Sequence, residues 1–364
     1  MTESVYLNHA GTSWPKPGRV QDAMANALRL PLEDWPASFA LHHQAVARWL
    51  GVGDRSRLLL TPGCTSALAV ALADFPFRPG ERVLCGSFEH EALARPLQRL
   101  NERGVEVVAV PTGTDACVDL ERYERELESG ARLVACAWAN NITGELAPVE
   151  SIVALAHAHG AQVLLDAAQV AGILPIDVAS LNVDLLAFAG HKGPQAPWGI
   201  GGLYVAPGVP MACGDGVCTL GEPARSMPGY CDVGSVDRIA LAGLAAGIEW
   251  LDARPERLSL QRHSIAQLAQ AAHHPALQTL GPSDPVRRVP TLALAHAERS
   301  GPELAARLRA RGLMAAGGLM CAPAAHATLG TEKRGVLRLS VGPAITEDDV
   351  NYAKSVLREG ALWD

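Results

Sequence analysis

With 364 residues, 48% of them apolar and 19% charged, the chain has material for a large core and length for two domains in one compact body. A formal charge of −7, with no basic run interleaved with aromatics, argues against a nucleic-acid partner. No apolar stretch of about 18 residues is present to span a bilayer. The opening MTESVYLNHAG lacks the basic and apolar regions of a signal peptide, and eight cysteines without a CxxC pair fit reduced thiols. A cytoplasmic enzyme or binding protein is the expectation, with no membrane association.

The first informative stretch, YLNHAGTSWPKP at 6–17, carries Gly11, Pro15 and Pro17 and reads as an ordered arm rather than a helix. Its small Ala10-Gly11 step lets backbone approach a ligand. Helices are predicted over 20–30 and 37–50, then a strand over 57–60 running through TPGCTS into an apolar helix at 67–73. Thr65 and Ser66 are N-cap types, and the free N–H groups of a helix start attract an anion. A strand at 82–85 ends in SFEHE, and a helix follows over 92–103 with Pro96 as a local disturbance. A lone histidine after a strand, as His90 is, is more often an ordinary loop or core residue than a proton carrier.

The alternation continues with a strand at 105–110, a helix at 120–128 and a strand at 133–137 that ends in WANNITG. Asn140 and Asn141 are residues that cap or turn a chain. A helix at 148–159, with His157 and His159 at its solvated end, leads to a strand at 163–165 that stops at DAAQ. The apolar run 185–189 then ends at Gly190-His191-Lys192-Gly193, and a Pro/Gly-rich turn leads to a second run at 202–205. This rhythm predicts a parallel or mostly parallel sheet covered on both faces. It breaks over 206–230, a Gly/Pro-rich span containing Cys213 and Cys218, with Cys231 just beyond; their spacing matches no zinc template, and no metal is expected. After a long helix through Trp250 and a break at Arg254-Pro255, helices at 257–272, 302–311 and 347–358 and strands at 289–294 and 336–341 predict a smaller α/β domain.

Two strand ends define the chemistry. Asp166 closes one short strand and Lys192 follows another, so a carboxylate and an amine can share a crevice at the carboxyl edge of a parallel sheet. A lysine between glycines is either a plain loop residue or an amine that desolvation turns into a nucleophile. Pyridoxal phosphate (PLP) needs such a pair, the lysine to hold its aldehyde and the acid to keep its ring nitrogen protonated. The strings LLDAAQ and FAGHKGPQAPWGIGGLYV, with SFEHEALARPLQRL upstream and MCAPAAHATLGT downstream, resemble the class V aminotransferase family of PLP enzymes, within it the cysteine desulfurase-like branch.

That resemblance implies an α/β protein of PLP-dependent transferase fold type I. A large domain over 21–253 would hold a mostly parallel sheet of the seven-stranded type. A smaller C-terminal α/β domain over 254–364 would carry the Cys321 loop, and an arm over 1–20 would join the small domain. It further implies Lys192 as the cofactor lysine and general base, His90 against the cofactor ring, and Asn141 donating to the ring hydroxyl, with Gln169 near the same oxygen. Asp166 would face the ring nitrogen. Cys64 and Thr65, at the helix start, would face the phosphate, His191 would also bind the cofactor, and Ser235 would reach the phosphate held by the other subunit of a homodimer.

Asn8, Ala10, Gly11 and Arg338 would line the substrate site, and Cys321 would accept sulfur from cysteine, or selenium from selenocysteine, leaving alanine. A sulfur-acceptor protein is an implied partner. Asn8-His9 and Gly11 depart from the family's arm pattern. Ala316 stands where the family has a carboxylate-binding Arg, and Met320 where it has a His. The alternative is a C–S β-lyase acting on a larger cysteine conjugate, or another activity of the same family.

Overall fold

Short apolar runs closed by Gly, Asn or Asp become strands here, and the alanine- and leucine-rich segments between them become helices. The structure is a computed structural model describing residues 4–112, 117–211 and 236–364. The chain runs β1 (Val5–Tyr6), α1 (Gly18–Ala27), α2 (Trp35–Trp49), β2 (Leu58–Thr61), α3 (Cys64–Asp74), β3 (Arg82–Gly86), α4 (Glu91–Glu102) and β4 (Glu106–Val110). It continues through α5 (Leu120–Glu128), β5 (Leu133–Ala137), α6 (Val149–Ala158), β6 (Gln162–Asp166), α7 (Val178–Leu181), β7 (Leu185–Ala189), β8 (Gly201–Val205) and α8 (Arg238–Asp252). The remainder is α9 (Arg257–Ala271), β9 (Leu277–Leu280), β10 (Thr291–His296), α10 (Gly301–Arg309), β11 (Leu313–Met314), β12 (Ala316–Gly318), α11 (Pro323–Leu329), β13 (Val336–Ser340) and α12 (Glu347–Leu357).

Among the described residues, seven strands form one sheet in the order β2-β8-β7-β6-β5-β3-β4. Only β8 runs antiparallel to its neighbours, so the carboxyl ends of the other six share one edge. Alternate residues of each strand feed opposite cores. Val163 and Leu165 pack under α2, α5, α6 and α8, while Leu164 packs under α3 and α4.

A second, antiparallel sheet has the order β12-β13-β10-β9. Leu292, Leu294, Leu337 and Leu339 on one face pack against α9, α10 and α12. On its other face Ala293, Ala295 and Val336 meet Phe88 and Ile142, which sit in the loops after β3 and β5. The second sheet thus lies over the carboxyl edge of the first. The arm ties into it: β1 pairs with β11, and Asn8 bridges to Ser340.

Several sequence expectations shift. The helix predicted at 67–73 begins at Cys64, with Gly63 as N-cap, so Thr65 and Ser66 occupy its first turn and do not cap it. Pro96 sits inside α4 without ending it. Strands β9 and β12 were not predicted, because their partly exposed residues have no continuous apolar run to mark them. Ser235, Cys213, Cys218 and Cys231 lie outside the described residues. Among the described residues no helix is long and apolar enough to cross a membrane.

Candidate active site

The Lys192 turn is held close to its neighbour by glycines. A Cβ on Gly193 would stand 2.1 Å from the Ala171 carbonyl oxygen, and one on Gly172 2.3 Å from the Gly193 carbonyl carbon. Only glycine permits that backbone approach. It lodges the turn after β7 against the segment after β6, and so brings Lys192 to the end of the strand that carries Asp166. Burial lowers the pKa of Lys192, with Arg338 adding to the effect and Asp166 and Cys64 opposing it.

Asp166, 6% exposed, is held by two donors on one oxygen: the Ala168 amide at 2.8 Å and the Cys64 thiol at 3.3 Å. The Cys64 thiol is therefore a hydrogen-bond donor. Burial, followed by the nearby Asp166 charge, pushes its pKa well up and keeps it protonated.

His90 is the N-cap of α4, and its Nδ1 accepts from the Ala92 amide at 3.0 Å. That bond puts the ring proton on Nε2 in the neutral form. Burial, with Lys192 adding to it, lowers the His90 pKa and favours this neutral form. Together with the first turn of α3, Asn141, Gln169, His191 and the exposed Trp198, these groups line a cavity of about 220 Å³.

Arg338, 5% exposed on β13, reaches the cavity's Asn141 loop from the second sheet. Nη1 donates to the Asn141 carbonyl at 2.7 Å and Nη2 to Asn8 Oδ1 at 3.1 Å, while Nε is buried without a partner. Burial lowers its pKa to about 10, so it is charged at neutral pH. Ala316 pairs with Arg338 across the strands and places only a methyl beside it. Gln169 Nε2 donates to the Ala10 carbonyl at 3.1 Å, and the Ala10 amide to Ser340 Oγ at 2.8 Å, linking the arm to both sheets.

Cys321 is exposed, on the loop between β12 and α11. Met320 and Cys321 both have left-handed backbone, at φ 50° and 55°. Two bonds from the large sheet's loops hold them: Asn141 Nδ2 donates to the Met320 carbonyl at 2.7 Å, and the Glu91 amide to the Cys321 carbonyl at 2.8 Å. His326, fully buried, closes the loop's base through Thr331 Oγ1 at 2.7 Å and the Leu319 carbonyl at 3.0 Å. The string AHATLGT is therefore the loop's structural clasp.

The groups present fit PLP. An amine of lowered pKa, a buried carboxylate and a helix start with unpaired N–H groups line one cavity. Asn141 Oδ1 is buried and has no partner. The resemblance has Asn141 donating to a ring hydroxyl; here one of its two amide hydrogens is used by the Met320 carbonyl, which leaves the other and Oδ1 for a ligand. No group of three or more metal-ligating side chains occurs among the described residues.

Sequence reasoning missed Glu89 and Lys16. Glu89, 7% exposed, accepts from the Ala137 amide at 3.0 Å and the Gly86 amide at 3.2 Å, and so stitches β3 to β5 beneath the cavity. Its signal was a carboxylate beside the buried Phe88 at a strand end. Lys16 reaches the backbone of the Lys192 turn, and a charged residue inside a Pro-rich apolar arm was the clue to it.

Residues 34–352 match the profile of the aminotransferase class-V family. A cysteine desulfurase of Cereibacter sphaeroides is 30% identical over 346 residues, covering 89% of this chain and 84% of that one. A cysteine desulfurase of Thermococcus onnurineus NA1 superposes with a TM-score of 0.90 at 23% identity, over 98% of this chain and 94% of the other. A C-DES variant solved with glycine covalently linked to its PLP cofactor superposes with a TM-score of 0.85 at 20% identity, over 98% and 97% of the two chains.

Proposed function

The chain belongs to the class-V aminotransferase family of PLP-dependent enzymes, and from that membership we propose that it is a cysteine desulfurase. The observation that carries the reading is Cys321, an exposed thiol on a loop that Asn141, a lining residue of the Lys192–Asp166 cavity, holds through the Met320 carbonyl. When bound, the cofactor supplies an electron sink that makes the substrate's Cα–H acidic and its Cβ–S bond labile.

Lys192 would hold the cofactor and, once released by substrate, accept the Cα proton, a role suited to an amine of lowered pKa. Asp166 would hold the proton on the ring nitrogen, with Cys64 and Ala168 fixing the carboxylate. The free N–H groups of Cys64 and Thr65, with His191, would take the phosphate, and Asn141 and Gln169 the ring oxygen. Arg338 would bind the substrate carboxylate with its remaining N–H groups beside Asn8, Ala10 and Gly11.

The Cys321 thiolate attacks the substrate sulfur. An S–S bond forms and the Cβ–S bond breaks, its electron pair passing to carbon. His90 Nε2 is the group suited to move protons there, so that carbon regains the hydrogen it needs for alanine. Cys321 is left as a persulfide, and cysteine plus thiol balances alanine plus persulfide. Selenocysteine would react through the same groups.

We also propose a homodimer, with Ser235 of each subunit serving the other's phosphate site, a cytoplasmic location, a sulfur-acceptor protein that discharges Cys321, and division into an arm (1–20), a large domain (21–253) and a small domain (254–364). The small Ala316 beside Arg338 supports a second reading, a C–S β-lyase with room for a larger conjugate. Product analysis with cysteine, selenocysteine and bulky S-conjugates tests the choice. Alanine in step with sulfane sulfur or selenium is expected; pyruvate as the sole carbon product would establish the lyase.

A further inference from the structure

The carbonyl oxygen of His191, one bond before Lys192, is approached by four donors from the arm. They are the Ser13 amide at 2.9 Å, and Thr12 Oγ1, Ser13 Oγ and Lys16 Nζ at 3.0 Å each. A carbonyl has two lone pairs, so this acceptor is saturated. Lys16 Nζ also donates to Ser13 Oγ at 2.6 Å, and among the described residues no carboxylate forms an ion pair with it. A partly buried cation is thus bound to one backbone oxygen and the hydroxyl next to it, with the Trp198 ring 5.7 Å away as its further contact.

We propose that Lys16 is a positioning residue: with Thr12 and Ser13 it clamps the His191 carbonyl and so fixes both the His191 ring and the peptide that carries Lys192. The proton inventory supports this. Ser13 and Lys16 already fill the carbonyl, which leaves the single Thr12 hydroxyl proton for His191 Nδ1, 3.1 Å away. The ring proton of neutral His191 then sits on Nε2, where the cavity-lining imidazole can donate to an anion. The neutral form is favoured by burial, with Lys192 and Lys16 adding to it, which lowers the His191 pKa to about 4. Without Lys16 the carbonyl keeps the Ser13 amide and one hydroxyl, and the peptide that carries Lys192 loses its charge-assisted anchor.

The clamp rests on the proposal that Lys192 and His191 hold PLP, and the test separates the two. Cofactor affinity is measured by visible absorbance during PLP titration of the stripped protein, together with kcat and KM for cysteine. Lys16→Met is expected to weaken PLP binding by roughly tenfold or more, the effect of losing a charge-assisted hydrogen bond. Its kcat should drop while KM shifts less than about twofold, because Arg338 and Asn8 are untouched. Lys16→Arg should restore most of both, and Lys333→Met, at an exposed lysine, should change neither.

Should Lys16→Met fold poorly, Thr12→Val asks the same question of the ring and is expected to weaken PLP binding as well. Wild-type PLP affinity and kcat in Lys16→Met, even with a lowered melting temperature, would overturn the clamp alone. So would a Lys16→Arg enzyme no better than Lys16→Met. Wild-type protein that takes up no PLP would overturn the underlying reading and the clamp with it.

Discussion

Glu89 shows how a single buried group leaves a mark that solution work can read. Burial, the largest cause, lifts its pKa to about 8 against the two amides that favour its charged form. Folded protein therefore keeps this proton between pH 4.5 and 8, where the unfolded chain has released it, so the group's contribution to stability falls as pH rises through that window. The slope is at most about 1.4 kcal/mol per pH unit. Glu89→Gln should flatten it, measured by denaturant unfolding of PLP-free protein at several pH values; an unchanged slope would show the carboxyl to be ionised throughout. Arg338 gives a second prediction at this scale. With only a methyl at 316, it alone would face the carboxylate of the proposed substrate, and Arg338→Ala should lower kcat/KM by roughly tenfold to a few hundredfold. Ala316→Arg should raise cysteine turnover, and an Arg338→Ala enzyme with unchanged kinetics would remove that residue from the site. Lys192, Asp166 and His90 were legible in the sequence because each stands at a strand end inside a recognisable string. The Cys64–Asp166 bond was not legible, since nothing in the order of residues says which way a thiol points.

The loop of residues 319–322 is the element on which the proposed reaction would depend. Gly317-Gly318 and Pro323 announce a loop at Met320-Cys321-Ala322, and a loop is found there. Its left-handed backbone at two non-glycine residues is not visible in sequence, because it is imposed from outside by Asn141 and Glu91. Left-handed backbone costs an L-residue roughly 1–2 kcal/mol. Met320→Gly should therefore raise stability, by about 0.5–1 kcal/mol once the greater freedom of glycine in the unfolded chain is counted. Equal or lower stability in that variant would mean that the Met320 side chain, packed against the Phe88–Ile142 cluster, contributes more than the backbone costs. Helix α3 teaches the converse lesson. Thr65 and Ser66 look like caps, but the tight turn at Pro62-Gly63 starts the helix sooner, which leaves the N–H groups of Cys64 and Thr65 facing the cavity.

At the scale of the molecule, the strand–helix alternation through Val205 conveyed the large sheet well, because its inner strands β6, β7 and β8 are buried on both faces and read as apolar runs. The second sheet was half legible. Its inner strands β10 and β13 are apolar, whereas β9 is partly exposed and β12 is Ala-Gly-Gly. The arm was read as an arm, yet its bonds to both sheets depend on contacts more than a hundred residues apart in the chain. This architecture ties the loop that carries Cys321 to the carboxyl edge of the sheet that carries Lys192, and the desulfurase account needs that juxtaposition. The most direct test is Cys321→Ala, assayed with cysteine for Cα hydrogen exchange in deuterated solvent, alanine and pyruvate. The account predicts that Lys192-dependent exchange persists while alanine formation stops. Undiminished turnover with pyruvate as the product would contradict it.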